Sequence, residues 1–263
     1  LDVELTLLPA AEGTGIVFQR VDLEGVPSFQ VSLDMVQGTP RCTIVGNEDF
    51  SVQTIEHLMA ALYAYQIDNV IIQLTGPEVP IFDGSSNLFV EMLELAGSQS
   101  QNQEKSIYFL QKPLYITGKE ALICALPSDE LKVSYTLQYT NEPSIGTQFY
   151  STLVNKDTFV KSIASSRTFS VYEEVAEMIE KGFLKGGSLE NAIVIKQSKV
   201  MNPEGLRFPD EMVRHKILDL LGDLYLMNLE FSAHIVAVRS GHSMNNAFAN
   251  QLVNYFKEGE WKQ

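Results

Sequence analysis

Cysteine is scarce in this chain of 263 residues: only Cys42 and Cys124 occur. They lie far apart and lack the close spacing of a metal-binding pair. That excludes a disulfide-built scaffold and leaves two reduced core thiols as the expectation. Long apolar runs are missing too. No stretch reaches the roughly 18 apolar residues of a membrane span, and no basic-then-apolar leader opens the chain, so a cytoplasmic protein is expected. Positive charge is in deficit: 19 Lys and Arg face 33 Asp and Glu, for a net charge of −14. This argues against general binding to nucleic acid or to an anionic membrane surface, and an anionic small substrate would need a local basic pocket. Histidine is rare, with four in all. What remains, 45% hydrophobic and 20% charged residues, is the make-up of an ordinary globular protein of one or two domains with a large core.

The polar stretch "GSQSQNQEKS", residues 97–106, separates two patterned regions and is the candidate domain boundary. Before it, Thr54 can cap a helix through "IEHLMAALYAY", followed by the strand "NVIIQL", the loop "TGPEVPIFDGS" and a helix from Asn87 to about Ala96. After it, Asp210 can cap "EMVRHKILDLLGDLYLM", followed by the strand "AHIVAVR", a tight "SGH" and a helix from Met244 to about Phe256. Both halves read helix, strand, Gly-containing loop, helix. The order alone leaves an internal duplication open, since it is common among α+β proteins. A duplication would put the two capped helices in equivalent places, each with a His near its start, His57 and His215. The second half also holds an extra unit: "SVYEEVAEMIEKG" has helical periodicity ending at Gly182, "FLKGGS" is a turn, and "NAIVIK" is a buried strand.

His215, Asp219 and Asp223 are spaced four apart, which stacks them in one polar column on a helix. Val213, Ile217, Leu220 and Leu224 form an apolar column. At roughly 100° per residue, Met212 and Leu226 project on the polar side, so the helix is apolar nearly all round and buried. A buried His and buried carboxylates need partners, and a metal ion satisfies a His and an Asp one turn apart. The other histidines are less informative alone. His57 follows Glu56, as a ligand His can follow a general base, but the pair is also common by chance. His242 sits on the small-residue turn "RSGHSMNN", where a functional or a turn-capping histidine are equally open. His234 lies in an apolar strand and reads as a core or strand-end residue.

Together, "TIEHLMAAL", "GPEVPIFDGS", "SSRTF", "KGGSLENAIVI", "GLRFPDEMVRHKILDLLGDL" and "SGHSMNN" stand in the order and approximate spacing of one family. The chain resembles the UDP-3-O-acyl-N-acetylglucosamine deacetylases of lipid A biosynthesis over nearly its whole length. The resemblance implies an α+β fold of two related domains, each a β-sheet packed on helices, with helices sandwiched between the sheets. Residues 1–100 would form the N-terminal domain carrying the Glu-His pair, and 106–263 the C-terminal domain with a βαβ insert forming an acyl passage. It implies that His57, His215 and Asp219 bind Zn2+, with Fe2+ as the possible ion in the cell, and that Glu56 is the general base. His242 matches the protonated electrophile or acid, Thr168 a hydroxyl holding the oxyanion, and Asp223 the carboxylate orienting the catalytic histidine. Lys216 and Phe169 match substrate contacts. Arg239 replaces a lysine often seen there and keeps a phosphate contact. Phe183 and Gly187 belong to the acyl passage.

The chain departs from the family pattern in three ways. It opens in what looks like the family's second strand. Asn228 and Ala233 stand where glycines are usual, and Asn suits a left-handed helix end. Thr43 rather than Cys42 aligns with a cysteine sometimes seen near the metal. The implied activity is a zinc-dependent hydrolase that removes the N-acetyl group from an acylated UDP-sugar and releases acetate. Its only implied partners are that substrate and, through the acyl chain, a transient membrane surface; a monomer is favoured. Two other readings are a zinc amidohydrolase for another acylated sugar and a catalytically silent metal-binding module. The silent module has no use for Glu56, Thr168 and His242, and a metalloprotease is disfavoured because HExxH is absent.

Overall fold

The architecture follows from where the apolar residues fall. A computed structural model describes residues 2–180 and 186–259, in which mixed α and β elements share one contiguous core. The first half contains β1 (Leu5–Pro9), β2 (Ile16–Arg20), β3 (Ser28–Gln30), β4 (Val36–Gly38), β5 (Ile44–Gly46) and β6 (Ser51–Gln53). It continues with α1 (Glu56–Ala64), β7 (Val70–Leu74) and α2 (Asn87–Ala96). The second half opens with β8 (Ile107–Phe109), β9 (Leu114–Thr117), β10 (Leu122–Leu126), β11 (Lys132–Gln138), β12 (Thr147–Leu153) and α3 (Lys156–Ser162). An insert follows, with β13 (Phe169–Val171), α4 (Tyr172–Glu180), β14 (Ile193–Lys196) and β15 (Lys199–Val200). The chain then forms α5 (Glu211–Tyr225), β16 (Glu230–Ser232), β17 (His234–Val238) and α6 (His242–Glu258). Strand periodicity is plain in β7, where Val70, Ile72 and Leu74 are buried and the residues between them are half-buried.

The two main sheets have the same plan. The first runs β1-β7-β2-β3 and the second β9-β10-β17-β11-β12. β7 is antiparallel to β1 and parallel to β2, as β17 is antiparallel to β10 and parallel to β11. Registers agree as well: Pro9 and Ile16 both pair with Val70, and Leu126 and Lys132 both pair with His234. The smaller sheets differ. β4-β5-β6 is an antiparallel meander, whereas β13 and β14 are parallel and joined through α4 as a βαβ unit. Gly182, Phe183 and Leu184 of that unit lie outside the described residues.

All nine residues of α1 are buried, as is every residue of α5 except Arg214 and Lys216. Burial on all sides requires protein on all sides, which an inner helix layer provides. α1 and α5 pack on each other, and α5 also packs on β11 and β12. The crossing is close: a Cβ at Gly222 would lie 2.1 Å from the Glu56 carbonyl oxygen.

The helix ends fix which residues of the two helices correspond. α1 and α5 are each followed by a left-handed residue, Gln66 at φ 52° and Asn228 at φ 52°. His57 lies nine residues before Gln66, and Asp219 lies nine before Asn228. The position equivalent to His57 is thus Asp219, and His215 sits on a longer N-terminal part of α5. Four expectations change. Thr54 does not cap α1: it is left-handed at φ 60°, and its hydroxyl donates to Glu78 Oε1 at 2.8 Å. Asp210 occupies the N-cap position of α5, but its carboxylate takes the Arg214 Nε–H at 2.6 Å instead of helix amides. α6 begins at His242 rather than Met244, because extended Gly241 already accepts the Asn245 N–H at 2.9 Å. Cys42 and Cys124 are half-buried rather than in the core.

Candidate active site

α1 and α5 bring His57, His215 and Asp219 together at their crossing. His215 Nδ1 lies 3.0 Å from the Ser166 carbonyl oxygen, which only accepts, so Nδ1 carries the proton and Nε2 presents a lone pair. That Nε2 is 3.3 Å from Asp219 Oδ1, and His57 Nε2 is 3.7 Å from the same oxygen. Burial, reinforced by the neighbouring His215, pushes His57 down to about 3, and burial also lowers His215. Both rings are therefore neutral near pH 7. Burial by itself raises Asp219, but the positive groups around it, including Lys216 Nζ at 2.5 Å from Oδ2, hold it well below the usual carboxylate range. Electron-pair donors thus converge with no proton of their own to share. A divalent cation fits that donor set, because two neutral imidazoles and a carboxylate are what zinc-type ions accept. His57 Nδ1 is buried without a hydrogen-bond partner among the described residues, so its ring is held less firmly than that of His215.

Glu56 and His242 flank this cluster. Glu56 Oε1 is 3.8 Å from His242 Nε2, and both side chains are buried. Burial raises Glu56 to about 7; His242 opposes the shift, and the carboxylates of Asp219 and Asp223 reinforce it. His242 is the first residue of α6, and both burial and the helix N-terminus disfavour its charge. Asp223 Oδ2, 2.9 Å from Nδ1, reverses this and with Asp219 and Glu56 pushes His242 up to about 10. At neutral pH the site therefore holds a cationic His242 beside a Glu56 poised to gain or lose a proton. Among the described residues, Glu56, Asp219 and His242 form a second cluster of metal-binding size. The charge on His242 opposes a cation there.

Thr168 and Phe169 arrive through "SSRTF". Arg167, 2% exposed, forks onto Glu211 with Nε at 2.9 Å and Nη2 at 3.2 Å, and its N–H reaches the same carboxylate at 3.0 Å. This clamp fixes Ser166 on one side and Thr168 on the other. Thr168 N–H donates to Gly84 O at 2.7 Å, where Gly84 adopts φ +81° and a Cβ would lie 2.0 Å from the Asn191 carbonyl oxygen. Lys216 Nζ sits 5.8 Å from the Phe169 ring centroid. Arg239 is at the periphery, paired with Glu120 at 3.0 Å. Gly187 is exposed and Phe183 is outside the described residues. A cavity of about 680 Å³ reaches His242 and is lined also by Thr39, Arg41, Ile116 and Met244.

Four contributors have weak or no signal in the sequence. Asn245 donates to Asp223 Oδ2 at 2.8 Å, and its place one turn after His242 is its only clue. Thr43 reaches both Asp223 and Glu56. The Ser166 carbonyl and Gly222 act through backbone, which leaves no side-chain pattern to read.

Comparison with known proteins identifies the family. A family model described as UDP-3-O-acyl N-acetylglycosamine deacetylase matches residues 1–254. A UDP-3-O-acyl-N-acetylglucosamine deacetylase of Chlamydia abortus is 47% identical over 251 residues, covering 95% of this chain and 89% of the relative. The protein of the same name in Chlamydia pneumoniae is 47% identical over 253 residues, with the same coverage. That of Chlamydia trachomatis serovar D is 43% identical over 251 residues, covering 95% and 87%. A match of this extent, to the family model and to relatives alike, means that the chain belongs to the UDP-3-O-acyl N-acetylglycosamine deacetylase family.

Proposed function

We propose that the chain hydrolyses the acetamide of UDP-3-O-acyl-N-acetylglucosamine, releasing acetate and a free amine in lipid A biosynthesis. The observation that carries this reading is the buried pair of Glu56 and cationic His242, 3.8 Å apart, beside the donor set of His57, His215 and Asp219. Relatives at 43% to 47% identity bear the name of that activity. The donor set suits Zn2+, with Fe2+ as the alternative in the cell. A divalent cation there supplies Lewis acidity, which makes water more acidic and polarises a carbonyl.

The chain's own residues handle the protons. Glu56 takes one proton from the attacking water as the water oxygen bonds to the acetamide carbon. The positive His242, oriented by Asp223, and the Thr168 hydroxyl stabilise the negative carbonyl oxygen of the tetrahedral intermediate. His242 then gives its proton to the nitrogen as the C–N bond breaks, and the proton on Glu56 restores the site through solvent. Lys216 and Phe169 contact the substrate beside the cluster. Arg239 contacts phosphate: its pair with Glu120 is exposed, and such pairs contribute little in water, so an anionic group can displace it. The insert from Phe169 to Lys196, with Phe183 and the open backbone at Gly187, takes the acyl chain. We take residues 1–100 and 106–263 as the two domains. No helix among the described residues is long and apolar enough to cross a membrane. A nucleotide-sugar substrate and unpaired thiols suit a cytoplasmic monomer that meets a membrane only through the acyl group.

The test is acetate release from UDP-3-O-acyl-N-acetylglucosamine together with the metal content of the purified protein. One equivalent of a divalent ion and release that stops on chelation are expected. Acetate release that persists without metal, or full activity on the substrate lacking its 3-O-acyl group, overturns the reading.

A further inference from the structure

Thr43 precedes β5 in the first half of the chain and is wholly buried. Its N–H donates to Glu56 Oε2 at 3.1 Å, and its hydroxyl donates to Asp223 Oδ1 at 2.5 Å. The other oxygen of Asp223 receives Asn245 Nδ2 at 2.8 Å and faces His242 Nδ1 at 2.9 Å. One small residue thus touches the proton acceptor and the carboxylate behind the proton donor, which come from opposite halves of the molecule. We infer that Thr43 is a positioning residue for the acid–base pair, turning Asp223 so that Oδ2 meets His242 while its amide holds Glu56 toward the same space.

Given the deacetylase reading above, the geometry of Asp223 fixes this role. A buried carboxylate has about four acceptor directions, and its rotation about the Cβ–Cγ bond is fixed only when donors meet both oxygens. Asn245 and His242 together define one oxygen, and Thr43 pins the other. Without the hydroxyl, Asp223 is free to turn, and His242 loses the direction of its Nδ1 bond and with it the aim of Nε2. Thr43 touches none of His57, His215 or Asp219 through these bonds, so its removal need not disturb the metal donors.

Thr43→Val keeps the shape and the amide and removes only the hydroxyl. A hydrogen bond to a charged group is at stake, so kcat is expected to fall about 10- to 100-fold. KM and metal content should stay within about twofold of the parent, as expected of a residue that aims the proton donor rather than binding substrate. Thr43→Ser should recover most of the loss. The deciding measurement is the same substitution in a His242→Gln background. If Thr43 acts through His242, Thr43→Val there costs no more than about twofold. An equal loss in both backgrounds, a loss that Thr43→Ser does not relieve, a fall in metal content, or an unimpaired Thr43→Val overturns the inference. If Thr43→Val does not fold, Thr43→Ala takes its place with the same outcomes. A His242→Gln enzyme of normal rate instead overturns the acid assignment, so the two failures are told apart.

Discussion

α1 and α5 occupy the same place in two halves of one strand plan, yet they contribute unequally to the site. α1 supplies Glu56 and His57 in its first turn and is apolar beyond them, while α5 supplies His215, Asp219 and Asp223 along its length. The equivalent positions His57 and Asp219 meet at 3.7 Å. Another equivalent pair, Ala60 and Gly222, each six residues before the left-handed end, is small, as a close helix crossing demands. Ala61 stands where Asp223 does. The shared plan therefore supplies a crossing with one donor from each side. The longer α5 adds His215 on its N-terminal extension, and one exchange of alanine for aspartate adds the partner of His242.

The largest effects should come from breaking that crossing at its donors. His57→Ala and Asp219→Ala occupy equivalent positions and should behave alike: loss of bound metal and a fall in kcat/KM of at least about 10³-fold. His215→Ala should join them despite having no counterpart on α1. Stoichiometric metal in any of the three, measured by elemental analysis, removes that residue from the donor set.

Next come the proposed proton carriers, which should keep the metal. Glu56→Gln and His242→Gln should each cost about 10² or more in rate. Burial raises Glu56 to about 7, and Asp223 overcomes burial to raise His242 to about 10. On the proposed mechanism, activity needs Glu56 without its proton and His242 with one. It should therefore rise through the first value and fall through the second, and a bound cation shifts both limbs to lower pH without reversing their order. Asp223→Asn removes the charge that raises His242, so the alkaline limb should move down and narrow the profile. An alkaline limb that does not move assigns it to another group.

The sequence carries the α5 column because helical periodicity is local: His215, Asp219 and Asp223 are legible from a spacing of four. The strands at "NVIIQL", "NAIVIK" and "AHIVAVR" and both helix pairs are legible for the same reason, while the short strands of the first half and the edge strands of the second carry too little periodicity to read. Thr43 and Asp223, 180 positions apart, are joined only by tertiary packing, and no local period records that. The start of α6 was obscured by Gly241, which reads as a turn but serves as the N-cap and so puts His242 on the helix. The equivalence of His57 with Asp219 was hidden because the helices differ in length at their starts and agree at their ends, where Gln66 and Asn228 look unlike each other.

A smaller effect should separate Gly222 from Ala60. The Cβ of Gly222→Ala would meet the Glu56 carbonyl at 2.1 Å, and backbone cannot yield as a flexible side chain does. Overpacking of this kind costs about 1–3 kcal/mol, and by displacing Glu56 it should lower kcat about tenfold with the metal retained. Ala60→Gly should cost the helix-propensity difference of about 1 kcal/mol and about another 1 kcal/mol for the buried methyl, and leave kcat unchanged. Equal kinetic losses in the two variants would mean that the crossing, not the Glu56 contact, governs the rate.

The smallest effect lies at the two helix ends, where the halves agree in backbone and differ in side chain. Gln66 and Asn228 both adopt φ 52°, and their N–H groups donate to Tyr63 O at 3.0 Å and Tyr225 O at 3.1 Å. A left-handed residue with a Cβ is strained by about 1–2 kcal/mol, and glycine removes that strain at an entropic cost of about 0.5–1 kcal/mol. Gln66 is exposed, so Gln66→Gly should stabilise by about 0.5 kcal/mol, a rise in Tm of about 1–2 °C. Asn228 tolerates the conformation better, and its Nδ2 donates to Val31 O at 2.8 Å, tying the end of α5 to the first half. Asn228→Gly forfeits a hydrogen bond of about 0.5–1.5 kcal/mol and should be neutral or destabilising. Thermal melts of the two variants decide the matter. If Asn228→Gly gains as much as Gln66→Gly, the bond to Val31 contributes nothing, and the asparagine is there for its backbone tolerance alone.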